Sequence, residues 1–180
     1  SVTPGRVGEP GSEAGADSEE ILSAVGLGSP REVGTPAADS VKGMPLAGIT
    51  ILEFATIIAT PLATSMLADL GARVIKVEPV GGDPYRGMGP AGVMAAKTNA
   101  GKESICIDLK SEEGQAIVAD LIRGADAIVH NYRPGVPERL GIDYETAKAL
   151  RSDIVWVSAN GYGPDAPSAR RPSAAASAAR

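Results

Sequence analysis

Apolar positions along this chain fall in short continuous runs separated by stretches of helical spacing. In residues 45–79, PLAGITILEFATIIATPLATSMLADLGARVIKVEP, one run holds Ile49, Ile51, Leu52 and Phe54, and a second holds Val74, Ile75 and Val77. Runs this short and continuous suit strands buried on both faces. Thr60 is placed to act as an N-cap, with Pro61 in the first helical position where its missing N–H costs nothing. Gly71 falls where a left-handed residue ends a helix. The spacing gives that helix an apolar stripe of Leu62, Met66, Leu67 and Leu70. Two buried strands joined by a capped amphipathic helix make a right-handed βαβ unit, which predicts a parallel sheet with ligand chemistry at the carboxyl ends of its strands.

The same alternation continues downstream. SICIDL, residues 104–109, reads as a strand. Ser111 caps a helix whose stripe is Ala116, Ile117, Ala119 and Leu121 and which ends at Gly124. Residues 126–131 supply a further strand, Pro134 and Gly135 a turn, residues 143–150 a helix capped by Asp143, and residues 154–158 a last strand. The fold class is therefore α/β: a doubly wound, Rossmann-like parallel sheet with helices on both faces. From Gly81 to Ser104 the chain is rich in turn formers for longer than the ~12 to 15 residues beyond which loops tend to be functional, so this is a candidate site loop. Residues 1–43 are rich in Gly, Pro, Ser, Ala and acids. They read as a linker with one short helix over residues 18–28, spaced through Ile21, Leu22 and Val25. PSAAASAAR, residues 172–180, keeps no pairing signal, so the sheet is expected to end with an unpaired edge and a partly uncovered core, as a truncated domain would.

Composition narrows the class. With 180 residues, 43% of them apolar, the chain can bury one core and reads as one domain with tails. A formal charge of −5 argues against general binding of nucleic acid or anionic membrane, while leaving room for a local Lys and Arg cluster that holds a phosphate. No apolar run approaches the ~18 residues needed to span a bilayer. Cys106 is the single cysteine, so no internal disulfide can form, which suits a reducing, cytoplasmic location.

The familiar phosphate-binding signatures are missing, because ATIIATP, residues 55–61, follows the first strand where a glycine-rich loop would stand. One His and one Cys far apart give no metal-ligand spacing. His130 reads as a satisfied or exposed side chain in preference to a catalytic base, and Cys106, between Ile105 and Ile107, as an inert buried thiol. Glu53 and Glu78 lie at or next to strand ends, where capping a loop N–H is the simplest role. The strongest constellation is HNYRPG, His130 to Gly135, with Arg139 beyond it and Lys110 after the preceding strand. Asn131 and Tyr132 fall at a strand's carboxyl end, where an amide can bond a ligand and a ring can cover it. A plain turn with solvated basic residues fits the same spacing.

PLAGITILEF, LADLGARVIKVEP, GGDPYRG, KESICIDLKSEEG, ADAIVHNYRPGVPERLGIDYE and IVWVSANGYGPDAP resemble, in that order, the amino-terminal part of family III CoA-transferases, the CaiB/BaiF group. The resemblance covers the span from Pro45 to Arg171. It implies an enzyme that moves CoA from an acyl-CoA to a carboxylic acid, with coenzyme A as the substrate-borne cofactor, no metal, and two subunits interlocked as a homodimer. In the family an aspartate attacks the acyl-CoA and becomes an aspartyl-CoA thioester, a covalent relay that splits one hard exchange into easier steps. Carried over position by position, the CoA pocket falls on Ile57, Ile58 and Ala59 after the first strand, on Ile107 and Lys110 after the third, and on Asn131, Tyr132 and Arg139 after the fourth. A further basic position falls at Arg170 or Arg171. Two departures weaken that pocket: Ile58 stands where a polar side chain is sometimes found, and Pro79 where a basic residue often follows the second strand's glutamate.

No residue here matches the nucleophile, and Asp165 comes too early to take that role. The resemblance divides the chain into residues 1–43, a linker or the tail of a preceding copy; residues 44–171, the CoA-binding portion of the large domain; and residues 172–180, a tail outside the family pattern. Three readings follow: a CoA-transferase represented by its CoA-binding half, an α-methylacyl-CoA racemase that shares the fold, or a non-catalytic fragment that binds CoA or another subunit.

Overall fold

The computed structural model describes residues 11–25, 43–88 and 93–161. Five parallel strands, β1 (Thr50–Glu53), β2 (Arg73–Glu78), β3 (Lys102–Cys106), β4 (Ala127–His130) and β5 (Val155–Ser158), form one sheet in the order β3-β2-β1-β4-β5. The helices are α1 (Ser18–Val25), α2 (Ala59–Asp69), α3 (Val93–Asn99), α4 (Glu112–Gly124), α5 (Val136–Arg139) and α6 (Tyr144–Leu150). Register pairs Ile51 with Val74 on one side and Ala127 on the other, so β1 is the central strand and strand order reverses between β1 and β4. The doubly wound α/β expectation therefore holds, and the reversal is where such sheets open a ligand crevice.

The two faces of the sheet are chemically different. Leu52, Phe54, Ile75, Val77, Ile105, Ile107 and Ile128 point to one face and meet α1, α4 and α6 through Ile21, Val118, Leu121, Ile122 and Ala147. The other face begins apolar, with Ile51, Val74 and Val129 under Leu67 and Ala68 of α2. Nearer the carboxyl edge it turns ionic: Glu53 and Lys76 are buried there, and the buried Lys102, in register with Val74 at the start of β3, reaches Glu53.

That ionic patch explains why α2 departs from its expected orientation. Its buried residues are Thr60, Pro61, Thr64 and Ser65, whereas Met66 is 59% and Leu70 44% exposed. Only Leu67 of the expected stripe packs against the sheet core. The helix also begins at Ala59, with Ile58 as an N-cap that makes no side-chain bond; Thr60 is buried and does not cap. Gly71 does take the expected left-handed conformation, at φ +99°.

Other sequence expectations hold with shifts. Ser111 caps α4 by accepting from Gly114 N at 3.0 Å, and Asp143 caps α6 by accepting from Thr146 N at 3.1 Å. The buried stripe of α4 is Val118, Leu121 and Ile122, with Ala116 exposed, one step round the helix from the predicted set. β3 starts at Lys102 because that lysine is buried and paired, which its charge conceals in the sequence. The run from Gly81 to Ser104 holds a 3-10 turn at Pro84–Gly87 and α3, and Tyr85 and Ala95 pack against Ile57.

Residues 11–25 are part of the domain, contrary to the linker reading. Asp17 N donates to Ser104 O at 3.1 Å, Ser104 N donates to Asp17 Oδ2 at 2.8 Å, and Gly15 N donates to Ser104 Oγ at 2.8 Å, so this segment covers the outer edge of β3. Ile21 is 1% exposed within the main core, while Leu22 faces outward. At the opposite edge, β5, Val155 and Val157 are exposed among the described residues.

Candidate functional site

The carboxyl ends of β1 and β4 converge on the turn that joins β1 to α2, residues 54–58. This turn contains Ile57 at φ +71°, the only described non-glycine residue with positive φ. A β-branched residue there is a genuine outlier, because its side chain crowds the backbone. Three side chains from elsewhere hold the turn. Lys76 Nζ donates to Ala55 O at 2.8 Å, Asn131 bonds both backbone groups of Thr56, and the Asp83 carboxylate accepts from Ile57 N at 3.2 Å.

Beneath the turn lies a buried network of three acids and three bases. Glu53 takes Lys76 at 2.8 Å, Lys102, and the hydroxyl of Thr64 on α2. Lys76 also pairs with Asp83 at 2.9 Å, and Lys102 donates to Pro61 O in the first turn of α2 at 2.7 Å. Glu78 accepts from Asp83 N at 2.6 Å, from Ser104 Oγ at 2.6 Å and from the Arg86 guanidinium at 2.8 and 2.5 Å. Glu78 thus does cap a loop N–H as the sequence suggests, whereas Glu53 is an ion-pair centre.

Burial opposes charge on Lys76, but Glu53 and Asp83 outweigh it and hold its pKa above the ordinary lysine value. Lys102 is less well compensated: burial brings it down to about 8 against the pull of Glu53. Burial would raise Glu78, yet hydrogen bonds from Arg86, Ser104 and Asp83 N keep it below the usual carboxylate range.

The positions singled out in the sequence take distinct places. Ile57 is buried, while Ile58 and Ala59 are exposed at the uncapped start of α2, where the first backbone N–H groups have no intrahelical partner. Asn131 is brought directly to this turn. Ile107 lies after β3, with its side chain in the main core and its N–H donating to Glu78 O at 2.9 Å. Lys110 and Arg139 are exposed, the first before α4 and the second at the end of α5. With strands ~4.8 Å apart, β3 and β4 stand three intervals or about 14 Å from each other, so these positions suit an extended ligand and not a compact one. Arg170 and Arg171 lie outside the described residues.

Tyr132 packs on the main core, and burial, with Asp83 adding to it, pushes its hydroxyl up to about 12. His130 is 2% exposed, between Tyr132 and Trp156 with ring centroids at 5.9 and 4.5 Å. Its Nδ1 accepts from Tyr132 N at 3.2 Å, which places the proton on Nε2, and Nε2 has no hydrogen-bond partner among the described residues. Burial pushes its pKa down to about 4, so it is neutral at pH 7. The satisfied-or-exposed reading of His130 is thus half right: one nitrogen is satisfied and the ring is buried. Cys106 is half-buried, and burial together with Glu78 raises its thiol pKa, against a role as a nucleophile. Among the described residues no group of three or more His, Cys, Asp or Glu could hold a metal.

Asp83, Lys76 and Lys102 were missed by sequence reasoning. A signal existed for Lys76: in RVIKVE it occupies an alternating position between two apolar residues of a buried strand, where a charge needs a partner.

Fold and site together define a Rossmann-like parallel α/β domain with a buried ionic network beneath the turn at which strand order reverses between β1 and β4. The chain belongs to CoA-transferase family III, whose family model matches residues 46–179. It is 42% identical over 135 residues to succinate–glutarate CoA-transferase of Agrobacterium fabrum, covering 68% of this chain and 34% of that protein. It is 36% identical over 157 residues to human succinyl-CoA:glutarate CoA-transferase, covering 84% of this chain and 36% of that protein. Among solved structures, a hypothetical protein from Mycobacterium tuberculosis superposes with a TM-score of 0.70 at 33% identity, covering 77% of this chain and 38% of that one. A CaiB/BaiF family protein from Brucella suis superposes with a TM-score of 0.67 at 37% identity, covering 71% and 36%. The chain spans about a third of the length of the curated relatives it matches.

Proposed function

We propose that this chain is the CoA-binding portion of an enzyme that transfers CoA between an acyl-CoA and a carboxylic acid. The observation that carries the reading is family membership over residues 46–179, joined to relatives named as CoA-transferases for succinate and glutarate and for acetyl-CoA and oxalate. The placement of Ile57, Ile58, Ala59, Lys110, Asn131, Tyr132 and Arg139 along one edge of the sheet supports it. An extended nucleotide thioester can run along that edge with its phosphates toward Lys110 and Arg139.

The chemistry of such a transfer balances in two exchanges. An aspartate carboxylate attacks the thioester carbonyl, the CoA thiolate leaves, and a mixed anhydride forms. The thiolate then attacks the aspartyl carbonyl and releases the first acid. Repeating the sequence in reverse with the second acid delivers the new acyl-CoA and restores the carboxylate. No residue of this chain is assigned the nucleophile. The role of these residues is to hold CoA while backbone amides meet the developing oxyanions. The working enzyme on this reading is a cytoplasmic homodimer of the intact protein.

Titration calorimetry of CoA into the chain tests the reading. Saturable binding is expected, weakened in Arg139→Ala by ~1 to 3 kcal/mol through the loss of a charged hydrogen bond. Unchanged affinity in that variant would put the pocket elsewhere. Trapping one aspartate of the intact protein with hydroxylamine in the presence of acyl-CoA tests the covalent relay.

A further inference from the structure

We infer that Asp83 and Lys76 are positioning residues for the CoA segment, fixing the left-handed turn at Ile57 and thereby the direction in which Ile58 and Ala59 face the ligand. The inference rests on the CoA reading above.

Three hydrogen-bonding positions of the turn carry the argument. Ala55 O, both backbone groups of Thr56, and Ile57 N are held by side chains of Lys76, Asn131 and Asp83. Asp83 and Lys76 are themselves joined at 2.9 Å, so one ion pair grips both flanks of the turn. Lys76 is anchored by Glu53, and Asp83 by Glu78, which accepts from its N–H at 2.6 Å and is fixed in turn by Arg86. All four acids and bases from Glu53 to Asp83 are nearly fully buried, so water cannot substitute for any of them. An isoleucine released from Asp83 would relax to negative φ, because nothing local to ATIIATP favours the left-handed region. Relaxation would swing Ile58 and Ala59, the two exposed residues immediately following, away from their present course. Strain of this kind persists only where the surroundings over-determine it, and it concentrates where a ligand is gripped.

The test uses the full chain with Asp83→Ala and Asp83→Asn, read by residue-resolved amide hydrogen exchange and by titration with CoA. In Asp83→Ala, exchange at Ile57 is expected to rise about tenfold or more while the strand amides of β2 and β4 keep their rates. CoA affinity should fall about tenfold, the equivalent of one charged hydrogen bond. Asp83→Asn keeps an oxygen for the Ile57 N–H and should recover slow exchange and most of the affinity, which a general loss of stability would not produce. Unchanged exchange at Ile57 in both variants overturns the clamp. Fast exchange at Ile57 with undiminished CoA affinity overturns its role in ligand positioning. If the unsubstituted chain binds no CoA, the functional reading falls and takes the ligand role with it, while the exchange data still decide whether the clamp exists. Should Asp83→Ala fail to fold, Asp83→Ser, whose side chain is one bond shorter and loses the contact with Ile57 N while staying polar, takes its place with the same two readouts and the same overturning outcomes.

Discussion

Asn131 and Thr56 exchange two hydrogen bonds across the point where strand order reverses: Thr56 N donates to Asn131 Oδ1 at 3.0 Å, and Asn131 Nδ2 donates to Thr56 O at 2.9 Å. The amide of a residue just past β4 thus completes the backbone pairing that β1 cannot continue once it turns toward α2. Both polar ends of Asn131 are engaged in this contact, so its side chain fixes the turn.

Replacing Asn131 with aspartate should expose that role. The carboxylate keeps an acceptor for Thr56 N but loses the donor to Thr56 O and sets two oxygens against each other. A loss of about 1 to 3 kcal/mol is expected in urea unfolding, the usual cost of an unmet half-buried hydrogen bond. An unchanged midpoint would show that the contact contributes nothing.

Glu53→Gln should be among the most damaging single changes in the chain. It leaves Lys76 and Lys102 facing a neutral amide inside the sheet, with Asp83 as the remaining acid against Lys76. Breaking a buried pair from one side costs about 3 to 5 kcal/mol. Glu103→Gln provides the contrast, because its pair with Arg73 is a third exposed and should be worth at most about 1 kcal/mol. Equal effects would mean that the buried network is not what binds α2 to the sheet.

Acid should weaken the fold through His130 before the carboxylates titrate. Its folded pKa of about 4 lies below the ordinary 6.5, so the unfolded chain binds the proton more readily. Stability is therefore complete above pH 6.5 and is lost as pH falls from 6.5 through 4, by about 3 kcal/mol in total. Below the usual carboxylate range Glu78 and Asp143, both held low by hydrogen bonds, add to the loss. Unfolding free energies measured from pH 7 to 4.5 should slope downward in the unsubstituted protein and flatten in His130→Gln. A flat profile in both would show that the ring is hydrated.

Residues 11–25 should prove integral to the domain. Ile21→Ala is expected to cost about 2 to 5 kcal/mol because the side chain sits in the main core, whereas Leu22→Ala on the outer side should cost less than about 1 kcal/mol. Two neutral substitutions would return this segment to the status of a linker.

How far these features can be read before folding depends on whether their signal is local. Strand and helix order follows from neighbours a few positions apart, and so do the caps at Ser111 and Asp143 and the left-handed Gly71. All of these are legible in the sequence, as is the carboxyl edge that carries Asn131 and Tyr132. The orientation of α2 is not. Its apolar residues predict one buried face and its polar residues occupy that face instead, because Thr64 meets Glu53 and the sheet there is ionic. Likewise nothing near Asp83 in the chain announces Ile57, which lies on the far side of β2 and α2.

By itself the sequence determined the class of fold, the five strands and the helices α1, α2, α4 and α6, because periodicity and capping are properties of short stretches. Tertiary structure alone decided which lysines could be buried, which face α2 turns inward, and how the turn at Ile57 is held. Charges distant in sequence become affordable inside a protein only when the fold brings their partners within hydrogen-bonding distance.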